Sequence, residues 1–188
     1  MSVRRILQLG DPLLRKVSAA VGDPVSARGV VQDLRDTLHE FQRTHGFGRG
    51  ISAIQIGVAE RIIYLEFEGK FYCLINPQWV RMSAEKFQLW DDCFSFPDLM
   101  VRVERSVSAE IQYEDEHGEA QVMAAAGALS ELIQHEMDHL DGILAVDRAL
   151  DGNSLSTREE WARRYAAISN APQSIGVPQS IGVLQRNS

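Results

Sequence analysis

The 188-residue chain predicts an α+β fold, and three features of its pattern carry that prediction. Apolar residues recur at helical spacing over 27–44 and again over 127–144. Two stretches, 61–77 and 107–127, read as strand pairs folded about tight turns. The strands come mostly before the second helix instead of alternating with helices, which speaks against a βαβ layout.

The elements follow in order. Residues 10–12, "GDP", read as a turn, and 22–26 as a further break. Val30, Val31, Leu34, Leu38 and Phe41 lie on one face of the first helix, and "HGFGRG" stops it. The first hairpin turns at Glu68-Gly69-Lys70 and the second at His117-Gly118. Between them, "QLWDDCFSFPDLMVRVERS" (88–106) reads as irregular. Past the second helix, 156–168 suits a short helix, with Ser156 or Thr157 as N-cap and Glu159 or Glu160 in its first turn. The hexamer PQSIGV occurs twice, at 172–177 and 178–183, in what reads as a poorly ordered tail. The expected division is a catalytic domain over 1–150, a C-terminal helix over 151–169 and the tail over 170–188.

Composition narrows the function. With 19 basic and 26 acidic residues the net charge is −7, which argues against DNA or RNA as a main partner. No apolar run is long enough to span a membrane, and the N-terminus lacks the apolar core of a signal peptide. Cys73 and Cys93 are few for a secreted scaffold and suit thiols in a reducing cytoplasm.

Residues 133–144, "IQHEMDHLDGIL", contain H-E-x-x-H. On a helix His135 and His139 share a face and can hold one metal ion, while Glu136 is turned about 100° away, placed to take a proton from a water at the ion's open side. The alternative is two surface histidines and a solvated glutamate, which the apolar surroundings disfavour. A catalytic site of this type takes a third protein ligand. The metzincin pattern H-E-x-x-H-x-x-G-x-x-H fits as far as Gly142, but Ala145 stands at its last histidine. A downstream Glu159 or Glu160 would be a poor ligand in its polar context. His39, His45, His117 and Cys93 remain as candidates upstream.

Three further stretches, in order, resemble the peptide deformylase family. "GRGISAIQIG" (48–57) resembles its G-x-G-L-A-A-x-Q motif, "DDCFS" (91–95) its E-G-C-L-S, and "QHEMDHLDG" (134–142) its Q-H-E-x-D-H-L-x-G. The resemblance spans about residues 3–150. It implies antiparallel sheets packed around a central helix that carries H-E-x-x-H. It implies Cys93, His135 and His139 as ligands of one divalent ion, Fe2+ in the cell, with Zn2+, Ni2+ or Co2+ able to replace it. It implies Glu136 as general base, Gln55 and the backbone N–H of Phe94 as donors to the formyl oxygen, and backbone at Arg49 and Gly50 as a strand-like seat for substrate. The implied reaction removes the formyl group from N-terminal formyl-methionine of new polypeptides in the cytoplasm, with the ribosome as an implied neighbour.

Departures from the motifs raise a second reading. Asp92 replaces a glycine beside Cys93, and Phe94 replaces a leucine. Ala128 and Glu131, seven and four residues before His135, put a small residue and a carboxylate on the metal-facing side of the helix. They suggest a larger, more anionic substrate pocket that tolerates basic side chains, or another N-formylated small molecule as substrate. An inactive binding relative is a third reading, opposed by the intact Cys93, His135, Glu136 and His139.

Overall fold

The structure is a computed structural model that describes residues 2–165. The PQSIGV repeat lies outside the described residues. Helix α1 runs Arg28–His45 and ends at Gly46, whose φ of 77° closes the last turn in the left-handed region. Five strands form the larger sheet: β1 (Gly50–Ser52), β2 (Ile62–Phe67), β3 (Lys70–Met82), and, after two further strands, β6 (Ser108–Glu114) and β7 (Ala120–Ala126), in the order β1-β2-β3-β6-β7. All its pairings are antiparallel. The turn between β2 and β3 has Glu68 at φ 51° and Gly69 at φ 74°, the paired positive angles that a two-residue hairpin requires.

The stretch expected to be irregular holds two strands, β4 (Lys86–Asp92) and β5 (Leu99–Ser106), and only 93–98 lies between them. Strand β8 (Leu155–Thr157) pairs with β5 to complete a three-stranded sheet. Helix α3 (Arg158–Arg164) follows at once, capped by the Thr157 side chain accepting from the Glu160 N–H.

Helix α2 (Ala128–Leu140) is the centre of the molecule, with every residue from Ser130 to Leu140 buried. Alternation along β2 explains how. Ile63 and Leu65 face α2 and pack with Leu132, Ile133 and Met137, while Ile62 and Tyr64 face α1 and pack with Leu34, Leu38 and Phe41. The larger sheet thus carries one helix on each face. A third cluster, including Leu14, Phe96, Val101, Val103 and Leu144, joins the small sheet to the segments flanking α2 and includes Cys93. No helix among the described residues is long and apolar enough to cross a membrane.

Candidate active site

A buried helix must account for its polar groups, since each unpartnered one costs about 1–3 kcal/mol. In α2 most are satisfied structurally. Ser130 donates to the Ser106 carbonyl at 2.9 Å, and Gln134 bonds both the Ser106 N–H and its carbonyl at 2.9 Å. Asp138 accepts from Arg105 and, at 2.8 Å, from Arg148. Two atoms are left over: Glu136 Oε2 and His139 Nδ1 are buried with no hydrogen-bond partner.

One of these residues, His139, belongs to a cluster of potential metal ligands. His139 Nε2 lies 3.2 Å from His135 Nε2 and 3.2 Å from Cys93 Sγ. All three ligand atoms lie within 4.8 Å of one another, and all three residues are buried. Two imidazole nitrogens bound to one tetrahedral ion stand roughly 3.3 Å apart, so the spacing fits a single metal. The other ring nitrogen of His135 supports the fit: Nδ1 donates to Asp91 at 2.9 Å, which leaves Nε2 with its lone pair toward the cluster. Asp91 is held in turn by Arg105 at 3.0 Å. Burial alone would raise the Asp91 carboxyl, but His135 and Arg105 outweigh it and hold it well below the usual carboxylate range.

Each strand end delivers one part. β4 ends at Asp92 and hands Cys93 to the loop, where the Ser95 N–H donates to the sulfur at 3.4 Å. After β1, residues 53–56 form a single 3-10 turn that aims Gln55. Gln55 Oε1 accepts from the Ser52 N–H at 3.0 Å, which fixes the amide so that Nε2 points at Cys93 Sγ, 3.5 Å away. Gly50 has room for no side chain: a Cβ there would stand 2.7 Å from Glu136 Oε1. Burial pushes the Glu136 carboxyl up to about 7, and a cation bound nearby would draw it back down.

These groups line a cleft of about 380 Å³, which also presents Phe47, Arg49, Asp92, Phe94, Glu131 and Leu132. Phe94 stacks on Phe41 with ring centroids 3.8 Å apart. Gly48, at φ 123°, admits it, because a Cβ would meet the Phe94 ring at 2.4 Å. Asp92 sits in regular strand and its carboxylate is held by Arg158 at 2.7 Å. Glu131 turns into the cleft, buried, and pairs with Arg49. Ala128 is exposed at the start of α2 and is not among the cleft-lining residues; its carbonyl accepts from Arg49 Nη1 at 3.4 Å.

The structure therefore brings together Gln55, Cys93, Phe94, His135, Glu136 and His139, with Arg49, Gly50, Asp92 and Glu131 around them, and leaves Ala128 outside. The sequence reading missed Arg105, Asp138, Arg148, Arg158 and the side chain of Arg49. Asp138 carried a signal, being a fixed letter of the Q-H-E-x-D-H-L-x-G motif. The arginines carried none.

The fold and site define a class: an α+β domain whose buried H-E-x-x-H helix and a cysteine just past the end of a neighbouring strand form a possible metal centre. Residues 3–154 match the family model described as polypeptide deformylase, and the chain belongs to that family. Among curated relatives, peptide deformylase 2 of Clostridium perfringens is 39% identical over 151 residues, covering 79% of this chain and 94% of that one. Peptide deformylase of Rhizobium meliloti is 35% identical over 154 residues, covering 78% and 85%. Among solved structures, the peptide deformylase of Synechococcus elongatus in complex with actinonin aligns with a TM-score of 0.74 at 33% identity, covering 79% of this chain and 80% of that one. That of Thermotoga maritima aligns with a TM-score of 0.75 at 28% identity, covering 80% and 100%.

Proposed function

We propose that this chain is a metal-dependent deformylase that hydrolyses the N-formyl group from the N-terminus of a peptide, releasing formate and a free amine. The observation that carries the reading is the convergence of Cys93 Sγ, His135 Nε2 and His139 Nε2 beside the unpartnered Glu136 Oε2. Cys93, His135 and His139 would hold the ion. A divalent cation there supplies Lewis acidity, which acidifies water and polarises a formyl oxygen.

The chain's own residues do the rest. Glu136 accepts the proton of the attacking water at Oε2 and returns it to the amine nitrogen as the C–N bond breaks and its electron pair passes to nitrogen. Gln55 Nε2, held in one orientation by Ser52, and the Phe94 N–H donate to the formyl oxygen as negative charge grows on it. Asp91 keeps the His135 ring in one tautomer and one pose.

Substrate backbone has a ready seat. β1 is an edge strand, paired only with β2. The Glu66 N–H donates to the Arg49 carbonyl at 2.7 Å, so alternation in the ladder turns the Gly50 N–H and carbonyl toward the open edge. An extended peptide laid there adds a strand, with its formyl end at Glu136.

One thiolate and two imidazoles accept Fe2+, Zn2+, Co2+ or Ni2+. We take Fe2+ as the ion in the cell, on the family resemblance, and the cytoplasm as the compartment, where the two free buried thiols of Cys73 and Cys93 persist. The test is formate release from formyl-methionyl, formyl-glutaminyl and formyl-lysyl peptides by protein purified without oxygen and loaded with Fe2+, Ni2+ or Zn2+ in turn. Turnover that vanishes with a chelator and returns with metal supports the reading. No formate from any of them by metal-loaded protein overturns it.

A further inference from the structure

We propose that Arg158 is a positioning residue for the substrate cleft: from the start of α3 it braces two lips of the cleft, Phe47 and Asp92, and so holds the rim in one shape for an incoming peptide. The inference rests on the deformylase reading above.

A departure from the family motif meets a residue beyond the family match at this point. Asp92 stands where the motif has glycine, and Arg158 follows the matched residues 3–154. Four contacts converge on Arg158. Its backbone N–H donates to the Asp98 carbonyl at 2.8 Å, and Nε donates to the Pro97 carbonyl at 2.6 Å. Nη2 donates to the Asp92 carboxylate at 2.7 Å. The guanidinium carbon lies 3.8 Å from the centroid of the Phe47 ring. One side chain thus touches the end of β4, the loop that carries Cys93, and the segment that leads into β1.

Phe47 and Asp92 line the cleft and Arg158 does not, so Arg158 acts through them. The brace has a firm foot, because Thr157 beside it pairs with Leu99 of β5 and caps α3 with its hydroxyl. Its far end is firm as well. The Phe47 ring stands edge-on to Phe41 and Phe94, with centroids 5.2 and 6.4 Å away.

The groups that carry the chemistry are held by other bonds. The Ser95 N–H donates to Cys93 Sγ at 3.4 Å, the Phe96 N–H to the Cys93 carbonyl at 3.1 Å, and the Ser52 N–H to Gln55 Oε1 at 3.0 Å. Loss of Arg158 therefore loosens the lips and leaves the metal ligands and the Phe94 N–H in place. A loose rim must be ordered when peptide binds, and that cost weakens binding without slowing the chemical step. Charge alone does not make the brace. A planar guanidinium donates in its plane while its face covers a ring, whereas an ammonium is a point charge on a flexible stem.

The test compares metal-loaded wild type, Arg158→Met and Arg158→Lys on a formyl-Met tripeptide, with hydrogen exchange of the backbone followed in the same proteins. In Arg158→Met, KM should rise about three- to fivefold with kcat within about twofold of wild type. Arg158→Lys should resemble it. Exchange should quicken in both variants over 44–50 and 91–99 together. A lysine variant with wild-type KM would reduce Arg158 to a counter-charge for Asp92 and overturn the brace. So would an unchanged KM in Arg158→Met, a fall in kcat alone, or faster exchange confined to 155–165. Wild-type enzyme that releases no formate overturns instead the deformylase reading, and the exchange pattern then still decides whether Arg158 braces the lips.

Discussion

The two ends of the cleft are both built from charges, and they are built differently. At the inner end, Asp91, Arg105, Asp138 and His135 are buried, and Asp91, Arg105 and Asp138 each have partners on two elements. At the outer end, Arg49–Glu131 has one member reaching solvent, and Asp92–Arg158 has both partly exposed. A buried pair broken on one side strands the other charge and costs about 3–5 kcal/mol, whereas a solvated pair contributes about 0–1 kcal/mol. The inner end is therefore stiff and tied to folding. The outer end can vary with little loss of the fold so long as buried Glu131 is not left unpaired, and substrate choice belongs there.

Four substitutions test that contrast, the largest first. Glu136→Gln should retain metal and lower turnover by about 10²–10⁴-fold. Wild-type turnover in this variant would remove Glu136 as the base. Cys93→Ser exchanges a thiolate for a neutral hydroxyl and should lower metal affinity steeply, seen as metal lost on dialysis. Metal retained at full stoichiometry would mean that a different third ligand acts.

Arg105→Met attacks the inner end without touching the donors. It leaves Asp91 with His135 alone, while Asp138 keeps Arg148 at 2.8 Å. Stability should fall by about 3–5 kcal/mol, and metal affinity about 10–100-fold, as expected when the partner that orients a ligand is disturbed. An unchanged denaturation midpoint would erase the distinction drawn between the two ends. Arg158→Met is the matching change at the outer end. The guanidinium lies 3.8 Å over the Phe47 ring and 2.7 Å from Asp92, so one side chain joins both lips of the cleft. Each contact is worth about 0.5–1 kcal/mol where water reaches it. KM for formyl-tripeptides should rise a few-fold with kcat and melting temperature nearly unchanged. A large loss of stability would place this pair with the inner network.

Much of the fold was legible because the chain follows its own periodicities. Leu34, Leu38 and Phe41 mark α1, and Glu68-Gly69 marks a hairpin. β5 was missed for a physical reason: Arg105 occupies an inward position and is 4% exposed, so the alternation that Val101 and Val103 begin is broken by a buried charge. β4 was missed because few of its residues are buried, which leaves no alternation to read. β8 spans three residues, too few for any pattern. At the site, H-E-x-x-H is legible because a helix converts sequence spacing into spatial spacing. Cys93 came through the motif resemblance. The Arg49–Glu131 and Asp92–Arg158 pairs join residues 82 and 66 positions apart. Each charge alone reads as surface, and only the fold shows that they meet.

The unequal exposure of Arg49 and Glu131 also sets an order of events for sequence change. If Glu131 is lost first, the Arg49 side chain, 43% exposed, swings into water and the chain survives. If Arg49 is lost first, a carboxylate 7% exposed is left alone in the protein interior. That intermediate loses about 3–5 kcal/mol from a total that is about 5–15 kcal/mol for a typical domain. A lineage moving between an apolar and a polar cleft is thus channelled: the arginine arrives before the glutamate and departs after it. Relatives that carry arginine at position 49 without the acid at 131 are expected to be more stable way-stations than those with the acid alone.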